Sequence, residues 1–451
     1  MKTTVSRRFV KDLKTSIAKG DSVRVTERLR KLHPADIAEA FSRIDTEEAK
    51  FIYKLLDEKT AAEVLVEMDE DVKEKLLQHL STREIAEQVV DHMASDDAAD
   101  LIGELPEHLQ TEVISQIEDP EQAKNIADLL TYEEHTAGAL MTKELIKVQP
   151  DWNVLKCVRE MRRQAGNLGA VYAIYVVETD DNFLGLLSLK KLLIAPAETL
   201  INDLYKKEII TVKTSAMASE VAQMMQKYNF AVMPVVDDNG KLAGRITIDD
   251  VVDYIQQEAQ KDYQMASGLT EVVEPHDKVW ILSRARMPWL LVALAGGIGA
   301  SMIIGQYEGQ IQIYPEMAFF MPLIMAMGGN VGVQASAIIV QGLANNTIVA
   351  DMIAPKLIKE LAVGLLNGLI CSVLIFIYNL IINEPVNLGI TVSVSLLTAI
   401  LFASFFGTFV PLTLHRLKLD PALATGPFIT TLNDILGIAI YFIIGRFLYM
   451  Q

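Results

Sequence analysis

One acidic residue stands alone in the last apolar stretch of the chain. Asp434 lies near the middle of the run from Pro421 to Gly445, in the sequence GPFITTLNDILG. A carboxylate at the centre of a bilayer costs roughly 2.5–3.5 kcal/mol on insertion scales, so it must face protein or water, and a functional role is the default reading. Thr430 stands four residues earlier, Gly426 one turn before that, and Gly437 just beyond. On a helix these positions share a face. A face that is polar or small lines a wet path or lets another helix come close. The competing reading is a carboxyl kept neutral by burial or hydrogen-bonded to another span.

A second apolar stretch carries its own irregularity, MAMGGNVGVQASAIIVQG. Gly328, Gly329 and Gly332 surround Asn330, and Gln334 follows. Glycines permit an unwound backbone, which membranes tolerate only where it lines a cavity. The same glycines also fit a close-packed helix face. Oxygen-bearing groups plus one carboxylate suit a hard, hydrated cation. No cluster of His and Cys points to zinc or a softer metal.

Further acids crowd the first part of the chain, at Asp91, Asp96, Asp97, Asp100 and Glu104, then at Asp237, Asp238, Asp249, Asp250, Asp253 and Glu258. Singly, each reads as part of a solvated face. Together they make a negative field that attracts divalent cations. Two such faces brought together repel unless cations bridge them, which is the logic of a sensor.

These residues need elements to position them, and charge divides the chain in two. Of 451 residues, 51% are hydrophobic, and the formal net charge is -17. From Met287 to Gln451 there are seven acids and five bases, so -15 of the charge lies before Met287. The apolar part contains five charge-poor stretches: Met287–Tyr307, Met317–Ala350, Leu361–Asn383, one within Pro385–His415, and Pro421–Gly445. A spanning helix needs about 20 apolar residues, and each stretch suffices. Arg284, Arg286, Lys356, Lys359, Arg416 and Lys418 flank one side, against Arg446 on the other. The positive-inside rule then predicts a cytoplasmic N-terminal half and an outward C-terminus. Met1 to Gly20 is charged and has no apolar core of a signal peptide, so the later spans are expected to direct insertion into the cell membrane.

Residues 1–131 read as helical. Ala38-Glu39, Ala62-Glu63 and Ala86-Glu87 recur every 24 residues within apolar-periodic segments, as in a small stack of repeated helices. Residues 132–200 and 201–262 share a plan of strand, helix, strand, acidic turn, strand and helix. The turns are Thr179-Asp180-Asp181-Asn182 and Asp237-Asp238-Asn239-Gly240, both hairpin signals. This duplication, with MPVVD and GRITIDD, resembles a tandem pair of CBS domains of α+β fold. That resemblance implies a nucleotide ribose contact at Thr247 and Asp250, and so ATP as a candidate ligand. The matching first-repeat positions are Ser188 and Lys191, where lysine replaces the usual acid. Residues 263–286 carry charge on one side and Trp280, Ile281 and Leu282 on the other, and are expected to form an amphipathic connecting helix at the inner membrane surface.

In order, the helical acidic domain, the CBS pair, the connecting helix and a five-helix transmembrane domain (287–451) with GGNVGVQ and DPALATGPFITTLNDILG resemble the MgtE family of magnesium channels over the whole chain. The resemblance implies a homodimer in the lipid bilayer with a pore between its membrane domains. It implies that Asp434 binds hydrated Mg2+, with Thr430, Gly426 and Asn330 completing the site. Gly426 stands where the family often has a side chain, so a contact there is expected from backbone. Cytosolic Mg2+ is expected to close the pore through Asp96, Asp100, Asp250, Asp253, Glu258 and Asp262. Lys261 replaces a common acid in that last cluster.

Several classes are excluded. An acidic chain without a basic stripe is no nucleic-acid partner. Two Cys, Cys157 and Cys371, one in each half, make no disulfide framework. An intramembrane aspartyl protease needs two carboxylates and a zinc protease a His motif, so an enzyme is not expected. The nearest rival is a proton- or sodium-coupled divalent cation transporter. A CBS-regulated sensor of another protein would leave Asp434 and the glycine-broken span without a role.

Overall fold

The computed structural model describes residues 5–167, 170–275, 277–344, 353–424 and 426–449. It divides into two compact units, residues 1–256 and 257–451.

The first unit opens with α1 (Arg7–Ala18), α2 (Ser22–Leu29), α3 (Pro34–Phe41), α4 (Thr46–Tyr53), α5 (Glu58–Val66), α6 (Glu70–Leu77), α7 (Thr82–Gln88), α8 (Ser95–Gly103), α9 (Glu107–Ser115) and α10 (Pro120–Leu129). Caps set these short lengths. The Asp45 and Ser81 side chains each accept from the backbone N–H three residues on, and Glu48 and Glu84 reach back to complete a capping box. Each box satisfies donors that a helix start leaves free. The helices stack next-but-one, α3 on α5, α5 on α7 and α7 on α9. The 24-residue repeat explains this: Ala38, Ala62 and Ala86 are all buried, and a small side chain at each contact lets neighbouring helices approach closely.

After α11 (Ala137–Leu140) come two matching α+β repeats. The first contains β1 (Ile146–Val148), α12 (Val154–Gln164), β2 (Ile174–Val177), β3 (Phe183–Leu187) and α13 (Leu189–Ile194). The second contains β4 (Val212–Lys213), α14 (Ala218–Tyr228), β5 (Val232–Val236), β6 (Leu242–Thr247) and α15 (Ile248–Ala266). Each sheet pairs its first two strands parallel and its last two antiparallel, with a register shift at Val176/Val177 and again at Val235/Val236. The duplication therefore extends to the bulge. Both acidic turns close hairpins with a left-handed residue, Asp181 (φ 66) and Gly240 (φ 85). Tyr175, Val177 and Leu242 seal the seam between the sheets. The second repeat shares one core with the helical stack, from Leu13 through Ile126 to Val235 and Val251, whereas the first repeat has its own.

The second unit begins within α15. The expected connecting helix over 263–286 is not one helix. α15 ends at Ala266, Gly268 turns the chain with φ +85, and a new helix, α16 (Val279–Gln306), starts thirteen residues after Ala266 and runs on as the first span. Only a residue without Cβ fits that turn, because a Cβ at Gly268 would stand 2.6 Å from Pro427 Cγ.

The short α17 (Glu308–Ile313) precedes α18 (Met321–Ala344), α19 (Ile353–Ile381), α20 (Val386–Arg416) and α21 (Pro427–Leu448). Among the described residues, five helices are long and apolar enough to cross a membrane, so this is a multi-pass membrane protein. The far end of the second apolar stretch, residues 345–350, lies outside the described residues.

The backbone around Gly328 and Gly329 does not unwind. α18 is continuous, and its glycines form a packed face. Helix continuity satisfies each N–H and C=O where lipid offers no partner, while the missing side chains let α21 approach. Gly332 takes both the Asn433 side chain and Ile429 from α21, and the α20 backbone at Gly407 presses on its carbonyl.

Candidate functional site

Asp434, Thr430 and Gly426 do come together. All three line one cavity of about 380 Å³, with Thr431, Pro427 and Met325, and with Ala293, Gly296, Gly297 and Ala300 from α16. Gly426 caps α21 with φ 52, a conformation L side chains avoid. A Cβ there would lie 2.6 Å from the carbonyl of Ala266. The Gly426 carbonyl accepts from Thr430 N and from Thr430 Oγ1, both at 3.0 Å. Both of its lone pairs are thus committed to the helix start. The Asp434 carboxylate lies against Gly329, whose Cβ position is 3.6 Å from Asp434 Oδ1. Asn330, the next residue, is exposed on α18 and does not line this cavity.

One wall escaped the sequence reading. The α16 segment ALAGGIGA places small residues at 293, 296, 297 and 300, a spacing that puts them on one helix face. Its signal was present but carries no polar atom, so it read as an ordinary first span.

The acids outside the five apolar helices separate into three kinds. The first kind is structural. Asp57 caps α5, and the hydrogen bond from Thr60 N holds its carboxyl below the usual range. Asp237 accepts from Asn239 N and Lys241 N in its hairpin, and Asp238 pairs with Lys213 at 2.9 Å. Glu104 pairs with Lys73 at 2.7 Å.

The second kind is a crowd where α8 meets the start of α15. Burial pushes Asp97 up to about 6, with Asp100, Asp250, Glu144 and Asp253 adding repulsion. Desolvation by the surrounding protein also raises Asp100 to about 6, although its surface stays exposed and Lys73 opposes the shift. Asp96 is pushed well above the usual carboxylate range by burial, then by Asp97, Asp250 and Glu144. Its Oδ1 is buried without a hydrogen-bond partner. Asp250 Oδ2 accepts from Thr247 N at 2.8 Å and Thr247 Oγ1 at 2.6 Å, capping α15. The two residues expected to contact a ribose are therefore bonded to each other.

Glu144 holds this junction. It accepts from Ser95 N at 3.2 Å and Ser95 Oγ at 2.8 Å, and from the Thr142 hydroxyl. It thus supplies the cap that Ala94 cannot. Neither Glu144 nor Asp97 was chosen as a site residue from sequence. Asp97 was visible beside Asp96, whereas nothing in MTKEL marks Glu144.

The third kind lies further along α15, in the second unit. Burial raises Asp262, and Asp420 adds to it, followed by Glu258. Glu258 itself pairs with Lys261 at 3.3 Å. Asp420, before α21, was not singled out, although it opens the DPALATGP motif. Among the described residues, no three His, Cys, Asp or Glu side chains are gathered as a ready metal site. Such crowded, donor-poor carboxylates suit cations that arrive with their own water.

Comparison with known proteins agrees with this layout. Residues 321–444 match the family described as MgtE, a divalent cation transporter, residues 32–135 the MgtE intracellular N domain, and 137–198 and 201–257 the CBS domain. The magnesium transporter MgtE of Thermus thermophilus is 31% identical, over 97% of either chain. That of Bacillus subtilis is 30% identical, over 91% of either. A crystal structure of the cytosolic domain of the Mg2+ channel MgtE in complex with ATP is similar to 54% of this chain, at 31% identity and a TM-score of 0.50, with 99% of that domain covered. The chain belongs to the MgtE family of magnesium transporters.

Proposed function

We propose that this protein is a Mg2+ channel for uptake, closed by cytosolic Mg2+. The observation that carries the reading is the single carboxylate of Asp434 in a cavity whose other walls are threonine hydroxyls, backbone and apolar groups. One carboxylate holds a hydrated dication without stripping it, and Mg2+ gives up water reluctantly. In a homodimer, two copies of Asp434 would face one path, and their mutual repulsion favours an ion between them. With the soluble units in the cytoplasm, entry runs down the membrane potential, worth about 2.3 kcal/mol per charge per 100 mV.

The soluble acids supply the gate. Asp96, Asp97, Asp100, Asp250 and Asp253 repel one another at low Mg2+, and ions that bridge them favour the packed arrangement. Asp262, Glu258 and Asp420 form a second set near the pore helix. The ligand shifts this equilibrium only through its higher affinity for the closed state. ATP is a further candidate ligand of the CBS pair. The likeness to an ATP-bound cytosolic domain supports it, through Thr247 and Asp250.

Mg2+-dependent current in proteoliposomes, with internal Mg2+ varied, tests the proposal. Current that falls as internal Mg2+ rises is expected. Uptake that instead tracks a pH or Na+ gradient would establish the coupled transporter.

A further inference from the structure

Two adjacent glycines on α16 stand in opposite surroundings. At Gly296 a Cβ would lie 1.8 Å from Thr431 Cγ2, so this is where α16 and α21 touch. At Gly297 a Cβ would meet nothing within 4 Å. Gly297 nevertheless lines the same cavity as Thr430 and Asp434. Its backbone is ordinary helix within α16, so a side chain there strains nothing. The chain therefore leaves room at Gly297 that its own packing does not require.

We propose that Gly297 is a specificity-determining residue for cation transport: its missing side chain keeps the cavity wide enough for Asp434 to meet a divalent ion with its water shell intact. The inference rests on reading Asp434 as the pore carboxylate. Six waters occupy about 180 Å³ at about 30 Å³ each, which fits within 380 Å³. One carboxylate and two threonine hydroxyls cannot replace such a shell. A side chain at Gly297 takes space from the shell and forces water off the ion. Mg2+ demands near-ideal octahedral geometry and dehydrates reluctantly, whereas Ca2+ accepts six to eight oxygens flexibly. Narrowing the cavity therefore penalises Mg2+ more than Ca2+.

The test is Mg2+ and Ca2+ uptake by the full chain in proteoliposomes, for Gly297→Ala, Gly297→Ser and Gly297→Leu. Mg2+ uptake is expected to fall stepwise with side-chain size, and the Ca2+ to Mg2+ uptake ratio to rise about threefold or more, a modest bias on the tenfold-per-1.4 kcal/mol scale. If Gly297→Leu does not fold, the Ala and Ser variants carry the ratio. Gly364→Ala, where a Cβ would press on Ser404 Oγ outside this cavity, is the packing control and should lower thermal stability without moving the ratio. An unchanged ratio, or equal loss of both ions, overturns the proposal. A changed oligomeric state overturns it too, by placing Gly297 in a subunit contact. Asp434→Asn separates the two readings. Full Mg2+ uptake in that variant defeats the pore assignment itself, whereas lost uptake beside an unmoved Gly297 ratio defeats only the inference.

Discussion

The cavity of the membrane unit holds one carboxylate, whereas the first unit gathers a crowd of them. Around Asp434 the lining is two threonines, Met325, Pro427 and small residues. Between α8 and α15, Asp96, Asp97, Asp100, Glu144, Asp250 and Asp253 repel one another with Lys73 as the base acting on Asp100. Under the proposed function, that difference separates passage from sensing. A permeating ion must leave as easily as it enters, so few charges serve better than many. A sensor needs charge whose neutralisation changes the fold, so many serve better than few. A second contrast lies inside the soluble unit. Asp57 and Asp97 both sit at the starts of short helices, yet hydrogen bonds hold Asp57 ionised while burial and repulsion drive Asp97 toward protonation. Local donors, not residue type, decide which acids remain available to a cation.

Breaking the lone site should have the largest effect. Asp434→Ala is expected to cut Mg2+ uptake by roughly tenfold or more, since about 1.4 kcal/mol of lost ion binding already gives tenfold. Undiminished flux in liposomes would remove Asp434 from the path. Next comes the crowd. Neutralising Asp96, Asp100, Asp250 and Asp253 together to Asn should leave uptake intact but leaking at high internal Mg2+. Asn keeps a hydrogen-bond acceptor for the Asp250 cap on α15. Normal closure in that variant would refute the sensor.

A smaller effect follows from pH. Burial and neighbouring acids push Asp97 up to about 6, and desolvation takes Asp100 with it. Their raised pKa destabilises the Mg2+-free fold above that pH, and the penalty is relieved as pH falls toward the unfolded value near 4. Below pH 6, protons occupy the oxygens a cation would use. The internal Mg2+ needed for closure should therefore rise several-fold, about one order of magnitude at most, between pH 7.5 and 5.5. A flat response would mean that these acids do not bind the regulating ion. The smallest effect belongs to the capping acid. Asp57→Ala should cost roughly 1 kcal/mol of stability, equally with and without Mg2+ in a thermal melt. A Mg2+-dependent loss would erase the distinction between capping and sensing acids.

Much of this was legible because it depends on local pattern. Spans show as charge-free length, caps as Asp or Ser before an apolar run, and the duplicated α+β repeat as matching hairpin turns. Partners distant in sequence were not legible. Glu144 reaches Ser95 across 49 residues, and nothing local announces that contact. Gly328 and Gly329 suited unwound and packed backbone equally well until α21 was seen against them. The connecting segment looked like one amphipathic helix because periodicity does not register the left-handed turn at Gly268.

The sequence by itself determined that -15 of the charge precedes the membrane, that five helices can cross it, and that one carboxylate lies inside the last. These follow from composition and from the cost of charge in lipid. Tertiary structure alone decided which acids are buried and crowded together. Asp57 is held by its own helix start through Thr60, a local contact, whereas only the fold buries Asp97 beside Asp250, Glu144 and Asp253, and electrostatic energy depends on distance and burial. It also decided that Asp434 shares its cavity with α16, because small residues record an approach between helices without naming the partner.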